Sequence, residues 1–346
     1  MTDSAAAAAF QSSRSFAYLS VDTTDAYKHS VAVSECEHVY QQVQRGPFRG
    51  RISELMLGPV HILRDQVSNP IGYVGPSWVD AHVFFSYLPS SGTAFVHGRQ
   101  VAQNTVVEYP RDHLYRAFCN GPTDCVAISI REDAIAGQLT KLVGEKVSHL
   151  NDAMYVPQTD CVDRFQRGAV GLLSQVSAAP HLLEDEVWRQ AAQDRMLEIL
   201  LEVVHLGLSA PHKLPPASTR SYIVDKAIEY MHSNVACLPG ELAGVCRALR
   251  VSPRTLRYSF EEVVGVSPVH YLLSLRLSRV RQELVDGGGA NGIHRVAQRH
   301  GFGHMGRFAL FYQQAFGEKP SDTSRRASAD GPKSRTKPTR WLFPGS

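Results

Sequence analysis

The sequence predicts an α+β protein of two domains, strands first and helices after. Three observations carry this reading. The chain has 346 residues, more than one ordinary hydrophobic core organises. From Gly50 to about Ile130, short apolar runs alternate with turn residues at the spacing of an antiparallel sandwich or barrel. Beyond Ile130 the apolar residues recur with the period of a helix.

The first 45 residues open on an alanine run and are expected to be partly disordered. Strands are predicted at Arg51–Met56, Val60–Leu63, His82–Leu88, Val101–Val107 and Cys125–Ile130. Asn69-Pro70, Gly75-Pro76, Ser90–Gly92 and Gly121-Pro122 punctuate them. Helices follow over Arg131–Val143, Val162–Val176 and Glu186–Leu206, the last stopping at Gly207, a residue suited to a left-handed C-terminal position. Ser209–Thr219 holds three prolines and no periodicity, which marks an interdomain linker. From there the chain reads as helical to about Phe316, and the basic, Ser- and Pro-rich tail from Ala327 is expected to be disordered. The predicted divisions are therefore 1–45, 46–208, 209–219, 220–326 and 327–346.

Composition narrows the function classes. Hydrophobic residues make up 43% and charged residues 20%, as in globular proteins. No apolar run approaches the ~20 residues of a membrane helix, and the N-terminus has no signal-peptide pattern. The six cysteines are scattered without a CxxC pair, which argues against a zinc site or disulfide framework and fits a reducing cytoplasm. Charge is divided unevenly. From Arg220 onward there are 19 Lys and Arg against 10 Asp and Glu, a net of +9, while the preceding residues carry 17 against 23, a net of −6. A basic half beside an acidic one suggests that one domain meets a polyanion.

The motif that fits a polyanion lies in the basic half. A helix-turn-helix needs small residues where its helices cross, a tight turn, and a second helix presenting exposed positions to the major groove. Ala243 and Cys246 are the small residues, and Leu242, Leu249, Val251, Leu256 and Phe260 supply a core. Ser252 is a natural N-cap and Pro253 suits the first helical position. Arg254, Arg257 and Tyr258 then fall on the exposed face, though Tyr258 equally suits packing. The form recurs: Ile293, Val296 and Ala297 begin a helix, Gly301-Phe302-Gly303 make the turn, and His304–Phe316 follows. Phe308 and either Tyr312 or Phe311 are its core, and Met305, Gly306 and Arg307 its exposed start. Pro268–Leu284 joins the units with a helix on the order of 25 Å long. That length suits two reading helices about one DNA turn, roughly 34 Å, apart.

These residues resemble the AraC/XylS family of bacterial transcription regulators over about a hundred positions. Leu242, Ala243, Ser252, Leu256, Phe260, Gly265, Pro268, Tyr271, Leu272, Arg276 and Leu277 are similar to the first unit's pattern. Gly301, Phe302, Phe308, Tyr312, Phe316, Gly317 and Pro320 are similar to the second's. The second unit, with Tyr40-Gln41-Gln42 and Pro47-Phe48-Arg49-Gly50 upstream, further resembles the branch containing the ethanolamine-utilisation regulator. Two positions depart from the pattern. Arg250 replaces a turn glycine, which disfavours a left-handed backbone there, and Arg307 replaces a serine on the second reading face.

The resemblance implies an N-terminal cupin-like β-barrel that senses a small molecule, with trailing helices for dimerisation, and a C-terminal all-α domain that binds double-stranded DNA. It implies an activator that contacts RNA polymerase as a cytoplasmic homodimer, with no cofactor and no enzymatic activity. Arg254, Arg257, Tyr258, Met305 and Arg307 are the base-reading candidates, since arginine can bond guanine in a bidentate manner. Ser252, Thr255 and His304 are the phosphate-holding ones. Trp78, Phe84, Phe85 and Tyr87 are either pocket lining or core. No two histidines stand two residues apart, which argues against a metal-dependent cupin enzyme, and an architectural DNA binder without ligand leaves the acidic half unexplained.

Overall fold

The computed structural model describes residues 16–34, 39–44, 46–76, 81–109, 114–143, 154–157, 159–209, 216–234, 242–287 and 292–330. Strand β1 (Phe16–Thr23), the short helix α1 (Ala26–Ala32), β2 (Val39–Gln42) and β3 (Gly50–Leu57) open the chain. There follow β4 (Val60–Val67), β5 (Ile71–Pro76), β6 (Ala81–Tyr87), β7 (Ala94–Val96) and β8 (Arg99–Val101). Strands β9 (Val106–Tyr109), β10 (Leu114–Cys119) and β11 (Thr123–Arg131) complete the hairpins, and β12 (Met154–Val156) adds to β9 after helix α2 (Glu132–Val143).

These strands make two antiparallel sheets. One has seven strands in the order β1-β3-β4-β11-β6-β9-β12, the other five in the order β2-β5-β10-β7-β8. The pleat sends successive side chains to opposite faces. Leu63, Val83, Phe85 and Tyr87 face the five-stranded sheet, which answers with Ile71, Tyr73, Val96 and Ala117. Ile62, Phe84, Val126 and Ile128 point the other way, into a core shared with α3 (Asp160–Ala178) and α4 (Glu186–Ser209). The expected barrel is thus a pair of stacked sheets with a helical layer outside the larger one, an arrangement compatible with a cupin-like jelly roll.

Two of the expected boundaries fall beside described elements. The segment to residue 45, expected to be partly disordered, supplies β1, α1 and β2; all eight residues of β1 pair with β3. That order comes from a partner strand distant in sequence, which the alanine run beside it conceals. At the other end, the tail expected from Ala327 begins inside a helix reaching Asp330. The linker residues 210–215 lie outside the described residues.

The C-terminal domain is helical throughout its described part. It comprises α5 (Thr219–Asn234), α6 (Ala243–Leu249), α7 (Pro253–Val263), α8 (Pro268–Val285), α9 (Ile293–Arg299), α10 (Met305–Phe316) and α11 (Pro320–Asp330). Helix α8 belongs to two cores. Its first half packs Tyr271, Leu272 and Leu275 with α5, α6 and α7; its second half packs Leu277, Val280 and Leu284 with α9 and α10. The first core also takes in Val43 and Phe118 from the outer side of the five-stranded sheet. Arg116 on β10 closes that seam with a fork onto Asp225 of α5, at 3.2 and 3.0 Å.

Candidate nucleic-acid interface

The first helix-turn-helix is α6 and α7. Its turn depends on Arg250, which ends α6 at φ 54° and ψ 40°, in the left-handed region. The sequence disfavours that conformation for arginine, and the chain adopts it nonetheless. The Arg250 N–H donates to the Arg247 carbonyl and the Val251 N–H to that of Cys246, at 3.3 and 3.0 Å, so the helix end is closed as a glycine would close it. The strain is of order 1–2 kcal/mol, less than the buried apolar contacts that Val245, Leu256 and Phe260 make on either side of the turn contribute together. Ala243, expected to face inward, is exposed, and Val245 fills that role.

Helix α7 is set up by its cap. The Ser252 Oγ accepts from the Thr255 N–H at 3.0 Å, and Pro253 takes the first helical position, where no N–H is needed. Leu256 and Phe260 are wholly buried, so Arg254, Arg257 and Tyr258 are turned to solvent together. The Arg254 guanidinium lies 5.3 Å from the Tyr258 ring centroid. Arg257 donates to Glu261 one turn on, at 2.7 Å. Each arginine of this face therefore has an intrahelical partner that a base or phosphate must replace. Thr255 and Ser252 are exposed and share a hydroxyl contact of 2.8 Å.

The second unit is α9 and α10. Gly301, at φ 84°, makes the turn; the Phe302 and Phe308 rings pack tilted at 5.0 Å, and Phe308 and Tyr312 edge to face at 5.7 Å. Tyr312 rather than Phe311 is the buried aromatic. His304 stands at the N-cap of α10, exposed and with no side-chain cap bond. Arg307 is exposed on the first turn of α10. Met305 is half-buried and packs against the second core, which leaves less of it for reading than the sequence suggests.

Comparison with known proteins decides what this tandem is. A family model described as "Helix-turn-helix domain" matches residues 245–326. A Rhodococcus erythropolis protein described as "Probable thc operon regulatory protein" is 28% identical over 325 residues, covering 89% of this chain and 95% of that protein. A Pseudomonas putida "XylDLEGF operon transcriptional activator" is 40% identical over 81 residues, 23% of this chain and 25% of that protein. Residues 245–326 are a helix-turn-helix domain of the AraC type. The chain is a DNA-binding transcription regulator. Among solved structures, an "AraC-like transcriptional activator CuxR" is similar over 77% of this chain and 96% of that one, at 14% identity and a TM-score of 0.39. The narrower resemblance to the ethanolamine branch is not carried by these relatives.

In this regulator the aromatics singled out as pocket lining divide. Phe85 and Tyr87 are buried between the sheets, their rings edge to face at 6.0 Å, and Phe84 belongs to the helical side. Trp78 lies outside the described residues. Among the described residues no group of three His, Cys, Asp or Glu side chains is placed to hold a metal ion, and no helix is long and apolar enough to cross a membrane. Sequence reasoning missed the polar groups between the sheets and at the seam. Asp65 accepts from Tyr40 at 2.8 Å and bonds the His29 ring at 2.8 Å, and Glu54 holds Ser34. Arg281, one residue beyond the apolar Val280, is buried as well. Arg281 stands in a charged stretch with Arg276, Arg279 and Glu283, so nothing in the sequence set it apart.

Proposed function

We propose that this regulator responds to a small-molecule effector held by its two-sheet domain and activates a nearby operon through RNA polymerase. It reads two successive major grooves on one face of the DNA. The observation that carries the reading is the arrangement of α7 and α10. Each has a buried inner face and an exposed cationic outer one, and both are fixed to the same helix α8. Arg257 and Arg307 are the principal base readers, Arg254 and Tyr258 flank them, and Met305 contributes its exposed edge. Ser252, Thr255 and His304 hold phosphates where helix N-termini favour anions. Phe85 and Tyr87 line the space between the sheets that an effector of aromatic or apolar character would enter. The active form is a cytoplasmic homodimer on palindromic or direct half-sites.

The experiment is a gel-shift series on the promoter DNA beside the coding sequence. Arg307→Ala is expected to lower specific affinity by about 1–3 kcal/mol while non-specific binding is held. An equal fall in both reduces Arg307 to a phosphate contact.

A further inference from the structure

Helix α1 touches both halves of the molecule. Inward, its His29 is wholly buried, bonded through Nε2 to Asp65 Oδ1 at 2.8 Å and through Nδ1 to the Thr23 hydroxyl at 2.7 Å. A Cβ placed on Gly50 would come within 2.4 Å of that imidazole, so the ring is wedged against β3 with no slack. Outward, the Asp25 carboxylate that caps α1 bonds Arg281 on α8, and Tyr27 bonds Asp286 at the end of the same helix.

Arg281 is a junction in its own right. Besides Asp25 it donates to Glu318 at 3.0 Å, to the Tyr312 hydroxyl at 3.2 Å and to Thr323 at 3.4 Å, and its guanidinium lies 4.5 Å from the Phe316 ring centroid. Tyr312 and Phe316 belong to α10, Thr323 to α11. One buried side chain therefore joins the two-sheet domain, the connecting helix and the second reading unit. The sequence of contacts is unbroken from Asp65 between the sheets, through His29, α1, Asp25 and Arg281, to the base of α10.

We infer that α1 is the coupling element of this protein: it transmits the state of the Asp65 cluster between the sheets to the second DNA-reading helix through the Asp25–Arg281 pair. The physical reason is cooperativity. The N-cap Asp25 and His29 one turn on are both buried and bonded, and the helix is only seven residues long, so it moves as one piece. A change in the hydrogen bonding of Asp65 turns His29, and α1 with it, and the carboxylate on Arg281 shifts. The inference rests on the effector-responsive reading only for what perturbs Asp65; the path itself is a property of the folded chain.

The test is hydrogen exchange by mass spectrometry on the full chain without DNA. Asp25→Asn keeps the cap acceptor and removes the charge. It is expected to speed exchange in the 277–286 and 318–323 segments about tenfold, with the sheet strands unchanged. Asp65→Asn, remote from α8, is expected to speed the same two segments, and the double variant to add nothing further. Tyr40→Phe, which removes a single bond to Asp65, serves where Asp65→Asn loosens both sheets. If segments 277–286 and 318–323 ignore Asp65→Asn and Tyr40→Phe, or ignore Asp25→Asn, the coupling is overturned. Either result leaves the Arg307 affinity test untouched, since that test depends on the exposed face of α10 alone.

Discussion

Individual residues show where local preference yields to tertiary structure. Arg250 takes a left-handed turn of the kind that glycine fills most readily. Arg250→Gly relieves about 1–2 kcal/mol of backbone strain and gives back part of that as unfolded-state freedom. A net gain of roughly 0.5–1 kcal/mol in thermal or denaturant unfolding is expected. A loss would mean that the arginine makes a compensating contact in solution. Arg257 carries the opposite lesson. The sequence shows an exposed arginine, whereas the structure pairs it with Glu261, a partner that any base or phosphate would have to displace.

Elements were legible in proportion to how local their causes are. The caps, turns and apolar faces of α7, α8 and α10 follow from residues within a few positions of one another, so Ser252, Pro253, Gly301, Phe308 and Tyr312 could be read directly. Strand β1 could not, because its order comes from β3, and α1 could not, because its reasons lie in Asp65 and Arg281. The exposed positions of α7 could be read in sequence, while the partial burial of Met305 depends on how α10 sits on its core. Gly301 gives an element-scale prediction. At φ 84°, with a Cβ meeting the Arg276 guanidinium at 3.1 Å, Gly301→Ala strains the turn whatever the rotamer. The second unit is expected to lose about 1–2 kcal/mol, and footprinting to show one weakened half-site with the other, about one DNA turn away, retained. Equal weakening of both would show that the units bind as one body.

At the scale of the molecule, the seam between sheet and helices has its own titration. His97 sits with Gly98 at the tip of the β7–β8 hairpin, facing α5. Burial, then the charge of Arg116, lowers its imidazole to about 4, with Lys226 adding to this and Asp225 and Glu229 opposing. Burial likewise holds His232 down at about 3. A free histidine titrates near 6.5, so the separated form takes up protons first as pH falls. Docking is at full strength above pH 6.5, weakens below it, and the His97 share is lost completely only below about 4. Between pH 7 and 5, exchange in α5 is expected to quicken, less so in His97→Gln and least in the double variant with His232→Gln. An undiminished response in the double variant would assign the pH dependence elsewhere. The seam also bears on how the protein can be taken apart. Val43, Phe95 and Phe118 form an oily patch that the DNA-reading half keeps from water. A truncated two-sheet half would expose it, and such patches drive self-association. Dimers observed with that fragment would report the cut rather than the native assembly, so subunit stoichiometry belongs to measurements on the intact chain.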